Sequence, residues 1–382
     1  MMLDRPQRPV VIVTCEYAPF PGGIGTYSAE LAIALVASGD CVIVVAPAYK
    51  GEATLPAGVE HHLILGHHKI PLGAAPKLLA ILRGLPADAI VLAADIRTLL
   101  LLRVLQPFHR RRYRVMVHGS EASKFRRGSA MFAVARRAYL AADLVAYNSQ
   151  ATRDIFRAQL GQPAREAITY LGVGREWFDA PALGGFESAT LAALPDGPLF
   201  CSVGRLEPRK GHLDTVRALA RARDAFGMAD PVYVVVGRAE ERSYGQAIVE
   251  AGAAHGVRTI LPGRLSVNDI KRLYRRAAAN LLFARALPGK LEGFGLVLVE
   301  AAAQACPSIA AAVGGIPEVL GDTGALVGPD DLDGFAAQIA RFASDADLRA
   351  RQGAAARARA ERFSWAHCAQ ATFPELFASV AA

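Results

Sequence analysis

Short apolar runs alternate along the chain with longer stretches whose apolar residues recur every three to four positions. Runs at 10–14, 42–46, 89–93 and 114–117 read as strands buried on both faces, and 26–38 reads as a helix. The alternation resumes after a loop containing Gly and Pro at 179–198. Strands are predicted at 199–203, 232–236, 259–261, 280–283 and 308–311, with helices at 212–226, 245–255, 268–278 and 296–305. Such alternation marks parallel sheets with crossover helices. It predicts an α/β protein of two Rossmann-like domains facing each other across a cleft, with domains at 1–178 and 199–363, a linker at 179–198 and a C-terminal segment at 364–382. Ligands of open α/β sheets sit beyond the carboxyl ends of the strands. The segments following predicted strands are therefore where chemistry is sought.

After the strand at 280–283 comes Glu292-Gly293-Phe294-Gly295-Leu296-Val297-Leu298-Val299-Glu300, with two carboxylates eight positions apart. Gly293 and Gly295 suit a tight turn, and the run 296–305, free of Gly and Pro, reads as a helix starting near Gly295. Glu300 then lies roughly 7 to 8 Å along the axis. The unsatisfied N–H groups of the first turn fall between the two acids and suit a diphosphate. On this reading Glu292 accepts sugar hydroxyls and Glu300 accepts a ribose, through charge-assisted hydrogen bonds. The competing reading is a helix with one acid at its N-terminus and one on its solvent face.

Gly204-Arg205-Leu206-Glu207-Pro208-Arg209-Lys210-Gly211 follows the strand at 199–203. Pro208 forces a turn between Arg205 and Lys210, so both cations can converge on one diphosphate and neutralise a departing phosphate. Otherwise they are two solvent-facing loop cations. Pro19-Phe20-Pro21-Gly22-Gly23-Ile24-Gly25-Thr26 leads from the first strand into a helix, and Gly22 and Gly23 allow backbone close to a ligand. As a dinucleotide fingerprint it fails at Ser28, and the second strand ends in Ala46-Pro47 with no acid for a ribose, which argues against hydride transfer. His118-Gly119-Ser120-Glu121 places a histidine at the cleft edge, as catalyst or structural hydrogen-bonder. Val313-Gly314-Gly315-Ile316-Pro317-Glu318 offers a backbone site for an anion or hydroxyl, or is an ordinary glycine turn. No metal is expected, because Asp331-Leu332-Asp333 and Asp345-Ala346-Asp347 look like helix-start acids.

Charge adds one possibility. The net charge is +8, and residues 97–137 hold eleven Lys or Arg against the single acid Glu121. Apolar residues interleave with cations at 125–132, as in an interfacial helix, so peripheral contact with an anionic membrane through 97–137 is one reading and a solvated helix face the other. Nucleic acid fits poorly, since no recognition motif accompanies the charge. The apolar stretch 89–105 is broken by Asp95, Arg97 and Arg103, which excludes a membrane span there. The N-terminal residues lack the apolar core of a signal peptide, predicting a cytoplasmic protein. Five cysteines are scattered singly, without a disulfide or zinc pattern.

These motifs, in this order, resemble the retaining family 4 glycosyltransferases of the GT-B fold over nearly the whole chain. The resemblance implies that Arg205 and Lys210 hold the diphosphate of a UDP- or GDP-sugar, that Glu292 binds the transferred hexose and Glu300 the ribose. It implies further that the backbone at Gly204, Gly293, Phe294, Gly295 and Leu296 lines the donor, and that His118 lies near the anomeric centre. No cofactor or metal is implied. The acceptor would be a hydroxyl, in particular of a lipid-linked saccharide in exopolysaccharide or envelope glycan assembly. A final helix over 365–380 would return to the N-terminal domain. Two departures stand out: Ala305 replaces a glycine expected in the helix after Glu300, and Leu171-Gly172-Val173 replaces Asn-Gly-Val. A non-catalytic nucleotide-sugar-binding protein of the same fold, a sugar-nucleotide epimerase or a phosphorylase are the alternatives.

Overall fold

The computed structural model describes residues 8–19, 22–51, 54–119, 121, 127–239 and 241–377. The chain divides into two units, Met1–Gly172 with Trp365–Ala382, and Val173–Ser364.

In the first unit the order is β1 Val10–Val13, α1 Gly23–Ala37, β2 Val42–Pro47, β3 Val59–Leu65, α2 Ala74–Gly84, β4 Ile90–Ala93, α3 Ile96–His109, β5 Tyr113–Val117, α4 Ala130–Leu140, β6 Leu144–Tyr147, α5 Gln150–Leu160 and β7 Glu166–Ile168. The strands form one parallel sheet in the order β3-β2-β1-β4-β5-β6-β7. The hydrophobic pattern showed β1, β2, β4 and β5 but not β3, β6 or β7. Buried strands such as β1 are uninterrupted Val and Ile, whereas the edge strand β3 carries Glu60, His61 and His62, which disguise it. The apolar stretch 89–105 is two elements. Asp95 ends β4 and caps α3, accepting from the backbone N–H groups of Arg97 and Thr98.

The second unit runs α6 Ala189–Ala192, β8 Leu199–Val203, α7 His212–Phe226, β9 Val232–Val236, α8 Arg242–Ala254, β10 Arg258–Gly263, α9 Val267–Arg276, β11 Ala279–Leu282, α10 Leu296–Ala303, β12 Ser308–Ala311, α11 Ile316–Leu320, β13 Ala325–Val327, α12 Leu332–Ser344 and α13 Ala346–Ala360. Its sheet is also wholly parallel, ordered β10-β9-β8-β11-β12-β13. The stretch 179–198, expected as a linker, carries α6 and sends Leu191 and Leu194 into the core of this unit. The helix expected over 296–305 stops at Ala303, and Ala305 beyond it takes φ 55. That is the left-handed position just past a helix end, where glycine is favoured. Position 305 is therefore a helix stop.

The C-terminal segment belongs to the first unit as two helices, α14 Trp365–Thr372 and α15 Pro374–Phe377, rather than one. Pro374 cannot donate the hydrogen bond that continuation requires. Residues 378–380 of the expected helix lie outside the described residues. Buried Arg114 on β5 clips the segment down, donating to the Thr372 carbonyl, pairing with Glu375 and lying over the Phe373 ring at 5.3 Å. In both units the strand order reverses at the first strand, so the loops after β1 and β4, and after β8 and β11, flank the ligand crevices of doubly wound sheets.

Candidate functional site

In the second unit that topology joins two distant parts of the sequence. The loop after β8 carries Gly204 to Gly211, and the loop after the neighbouring β11 carries Glu292. A side chain at Gly211 (φ 70) would place its Cβ 1.9 Å from the Phe283 carbonyl oxygen, so glycine lets the two loops touch. Arg285 fastens them further by donating its N–H to the Arg209 carbonyl at 2.8 Å.

Glu292 is buried at this junction. Lys210 Nζ and Arg209 Nη1 both lie 2.6 Å from its Oε2. Its Oε1 takes no hydrogen bond from the described residues. Burial opposes ionisation of this carboxyl, but Lys210 and Arg209 outweigh it and hold the pKa at about 2. Arg209 is itself buried and reaches Glu207 Oε1 at 2.6 Å through Nη2. The result is a chain, Glu207 to Arg209 to Glu292 to Lys210, that fixes one oxygen of Glu292 and leaves the other to accept a hydroxyl.

Sequence reasoning paired Arg205 with Lys210 on one diphosphate, and in the structure the two differ in exposure, Lys210 being largely buried against Glu292 and Arg205 exposed. Pro208–Lys210 form a 3-10 turn that sends Lys210 inward, while the Arg205 side chain is 58% exposed and 3.6 Å from Glu207. Arg209, passed over in the sequence, is the second inward cation. Glu207 two positions before it is the signal that would have found it, since an acid in a buried turn requires a cation.

Gly295 caps α10 in the left-handed conformation, φ 86, and Leu296 opens the helix. Phe294 is buried edge-on against Phe363 at 5.6 Å. Gly293 is buried beside it, and Gly204 (φ 135) opens the β8 loop. Glu300 is part-buried on α10 and its pKa is raised to about 7, because burial outweighs the attraction of Lys210 and Glu176 adds repulsion. The Gly314-Gly315 turn supports Glu292 from behind. A Cβ at Gly314 would meet the Glu292 carbonyl oxygen at 2.1 Å, and Gly315 donates its N–H to that oxygen at 3.0 Å.

His118, Gly22 and Gly23 belong to the first unit. His118 follows β5 and points Nε2 at the Ala94 carbonyl, 3.1 Å away. A carbonyl only accepts, so Nε2 carries the proton and Nδ1 the lone pair. Burial lowers the pKa to about 4, against smaller opposing effects of Glu16 and Asp95, and the ring is neutral at pH 7. Its backbone N–H donates to Glu121 Oε2 at 3.1 Å and its ring stands edge-on to Tyr27. Gly22 precedes α1 with a Cβ position 2.9 Å from Glu16 Oε2, whereas Gly23 faces open space. Phe20, Pro21 and Ser120 lie outside the described residues.

Two family models match the chain in succession: Glycosyltransferase Family 4 over residues 21–176, and Glycosyl transferases group 1 over residues 187–359. The chain belongs to the family 4, group 1 glycosyltransferases. Among curated relatives, the D-inositol 3-phosphate glycosyltransferase of Streptomyces scabiei is 34% identical over 243 residues, covering 60% of this chain and 52% of the relative. That of Nocardia farcinica is 32% identical over 238 residues, covering 58% and 51%. The chain thus spans about half the length of the curated relatives it matches. Among solved structures, Anabaena HepE in complex with UDP and glucose superimposes with a TM-score of 0.76 at 20% identity, covering 97% of this chain and 100% of HepE. Sucrose-phosphate synthase from Thermosynechococcus elongatus gives 0.75 at 21%, covering 98% and 99%. These likenesses show the GT-B fold.

In this glycosyltransferase-family chain several cations of the basic stretch 97–137 have partners within the first unit. Arg111 donates to the carbonyls of Leu82, Leu85 and Pro86, and Arg114 holds the C-terminal segment. Arg112 pairs with Asp143, and Arg127 binds Gln159 and the Ala158 carbonyl. Lys124 and Arg126 lie outside the described residues. Among the described residues no group of three or more His, Cys, Asp or Glu is placed to hold a metal ion, and no helix is long and apolar enough to cross a membrane.

Proposed function

We propose that this protein transfers a hexose from a nucleotide-sugar, UDP-linked in preference to GDP-linked, to an acceptor hydroxyl, with retention of configuration and without a metal. The observation that carries the reading is the asymmetry of Glu292, whose Oε2 is held by Lys210 and Arg209 while Oε1 is left to a ligand. An ionised carboxylate fixed in this way orients a neutral sugar through its hydroxyls. Lys210 and the exposed Arg205 supply the positive charge that a departing diphosphate needs. Glu300 is assigned the ribose. His118, neutral and with Nδ1 free to accept, is assigned to the reacting centre, as the family resemblance implies. The UDP preference is supported by HepE, solved with UDP, with UDP and glucose, and with UDP-glucose.

The acceptor is proposed to be a saccharide or cyclitol hydroxyl. The names of the curated relatives favour a cyclitol phosphate. A lipid-linked saccharide at the cytoplasmic face of a membrane is the second reading. It is supported by the exposed Val104, Phe108, Met131 and Val134 on α3 and α4, which lie within the basic stretch. Equal binding to neutral and anionic vesicles, insensitive to salt, would remove that second reading.

The test of the main reading is a donor panel. The protein is incubated with UDP- and GDP-sugars while thermal stabilisation and released nucleotide are measured. Stabilisation and slow nucleotide release with a UDP-sugar are expected; no stabilisation by any member would contradict the proposal.

A further inference from the structure

At the opposite end of the second unit's sheet, where β8, β11 and β12 begin, lies a cavity of about 830 Å³. Arg275, Arg276, Arg349 and Arg357 line it, together with Gln304 and Tyr274; no carboxylate lines it among the described residues. None of the four arginines pairs with an acid among those residues either. Each is held by neutral oxygens: Arg275 by the Gln304 side chain at 2.7 Å, Arg276 by the carbonyls of Leu194 and Pro195, Arg349 by those of Phe342 and Ala343, and Arg357 by those of Ala303 and Phe178.

Part of this charge has a structural purpose. The C-terminal ends of α9, α10 and α12 converge on the cavity, and arginines suit helix ends. Three helix ends contribute about half a negative charge each, roughly 1.5 in total, against four guanidinium groups. About two and a half positive charges remain unmatched. The carbonyl bonds occupy only some of the five N–H groups of each guanidinium and fix its orientation, so the rest are presented at little entropic cost. The volume is that of a small-molecule site. Tyr274 is fully buried, so it offers no face for stacking a base.

We infer that this cavity is a second anion site, separate from the loops of Lys210 and Glu292, and that it takes a small ligand bearing two or more phosphate groups without base recognition. The strand β8 runs from this cavity to Gly204, five residues or about 16 Å. The inference rests on the cavity and is independent of the donor assignment above.

The test is calorimetric titration of the full chain with inorganic tripolyphosphate at constant ionic strength, in wild type, Arg275→Gln/Arg276→Gln and Lys210→Ala. Both altered arginines of the double variant are exposed and give up few hydrogen bonds; single Arg275→Gln, which loses only the Gln304 contact, serves if the double variant unfolds. Binding weakened at least tenfold by the arginine changes, and retained in Lys210→Ala, is the expected result. Three results would overturn the site: absence of binding in wild type, binding that survives the arginine changes but falls with Lys210→Ala, or displacement by chloride at the same ionic strength.

Discussion

Lys210 and Glu292, 82 positions apart in sequence, meet at 2.6 Å because the strands that precede them, β8 and β11, are neighbours in the sheet. Arg209 occupies the same carboxylate oxygen from the adjacent position. The charge of Glu292 is therefore compensated on one side and open on the other, which is what a sugar-orienting acid requires.

Lys210→Ala should weaken both nucleotide affinity and transfer. A hydrogen bond to a charged group contributes about 1.5–3 kcal/mol, so UDP affinity should fall roughly 10- to 150-fold. Titration calorimetry with UDP reads this directly, and near-normal affinity together with near-normal turnover would remove Lys210 from the donor site.

Arg209→Met should act through Glu292 and Glu207, both left buried with one cation fewer. Removing one partner of a buried ion pair costs about 3–5 kcal/mol. Chemical denaturation should show that loss, Arg209→Lys should recover part of it, and the acid limb of the activity profile should move upward as the pKa of Glu292 rises from about 2. The direction follows because a carboxyl depressed in the folded state stabilises the protein above its unfolded value, and that stability is lost as pH falls through the folded value.

Glu300 has the opposite sign. Its pKa, raised to about 7, means that the folded protein favours the neutral acid; this contribution is complete below the unfolded value near 4.5 and is lost as pH rises through 7. Glu300→Gln should therefore flatten the fall in stability between those limits. If the ionised form binds a ribose diol, UDP-glucose affinity should increase from pH 6 to pH 8 in the wild type and stay flat in Glu300→Gln. A flat wild-type profile would argue against the ribose assignment.

Ala305 sits at φ 55 after α10, a conformation that costs an L-residue roughly 1–2 kcal/mol. Ala305→Gly should raise stability by up to about 1 kcal/mol, since added freedom in the unfolded chain offsets part of the gain. Thermal unfolding measures it, and a destabilised variant would contradict the assignment.

Much of the fold was legible because parallel strands buried on both faces are unbroken apolar runs rich in Val, as β1 and β9 are. Four strands escaped: β3 carries two histidines, β7 and β13 are three residues long, and the buried β6 is only four. The segments that carry Glu292 and Lys210 were legible as loops following strands, where doubly wound sheets hold ligands. The role of Arg209 was not, because whether Arg205 or Arg209 turns inward depends on the 3-10 turn at Pro208. The meaning of Ala305 was equally hidden, since a helix stop without glycine looks like continued helix. In the basic stretch 97–137 a count of charges does not tell that Arg111 and Arg114 are engaged by carbonyls and Glu375.

The most direct test is Glu292→Gln, measured as hexose transfer from UDP-glucose alongside UDP affinity. Glutamine keeps the shape and removes the charge. Transfer reduced at least 100-fold, with UDP affinity within a few-fold of wild type, is the expected result; transfer near the wild-type rate would contradict the role of Glu292 as the residue that orients the sugar.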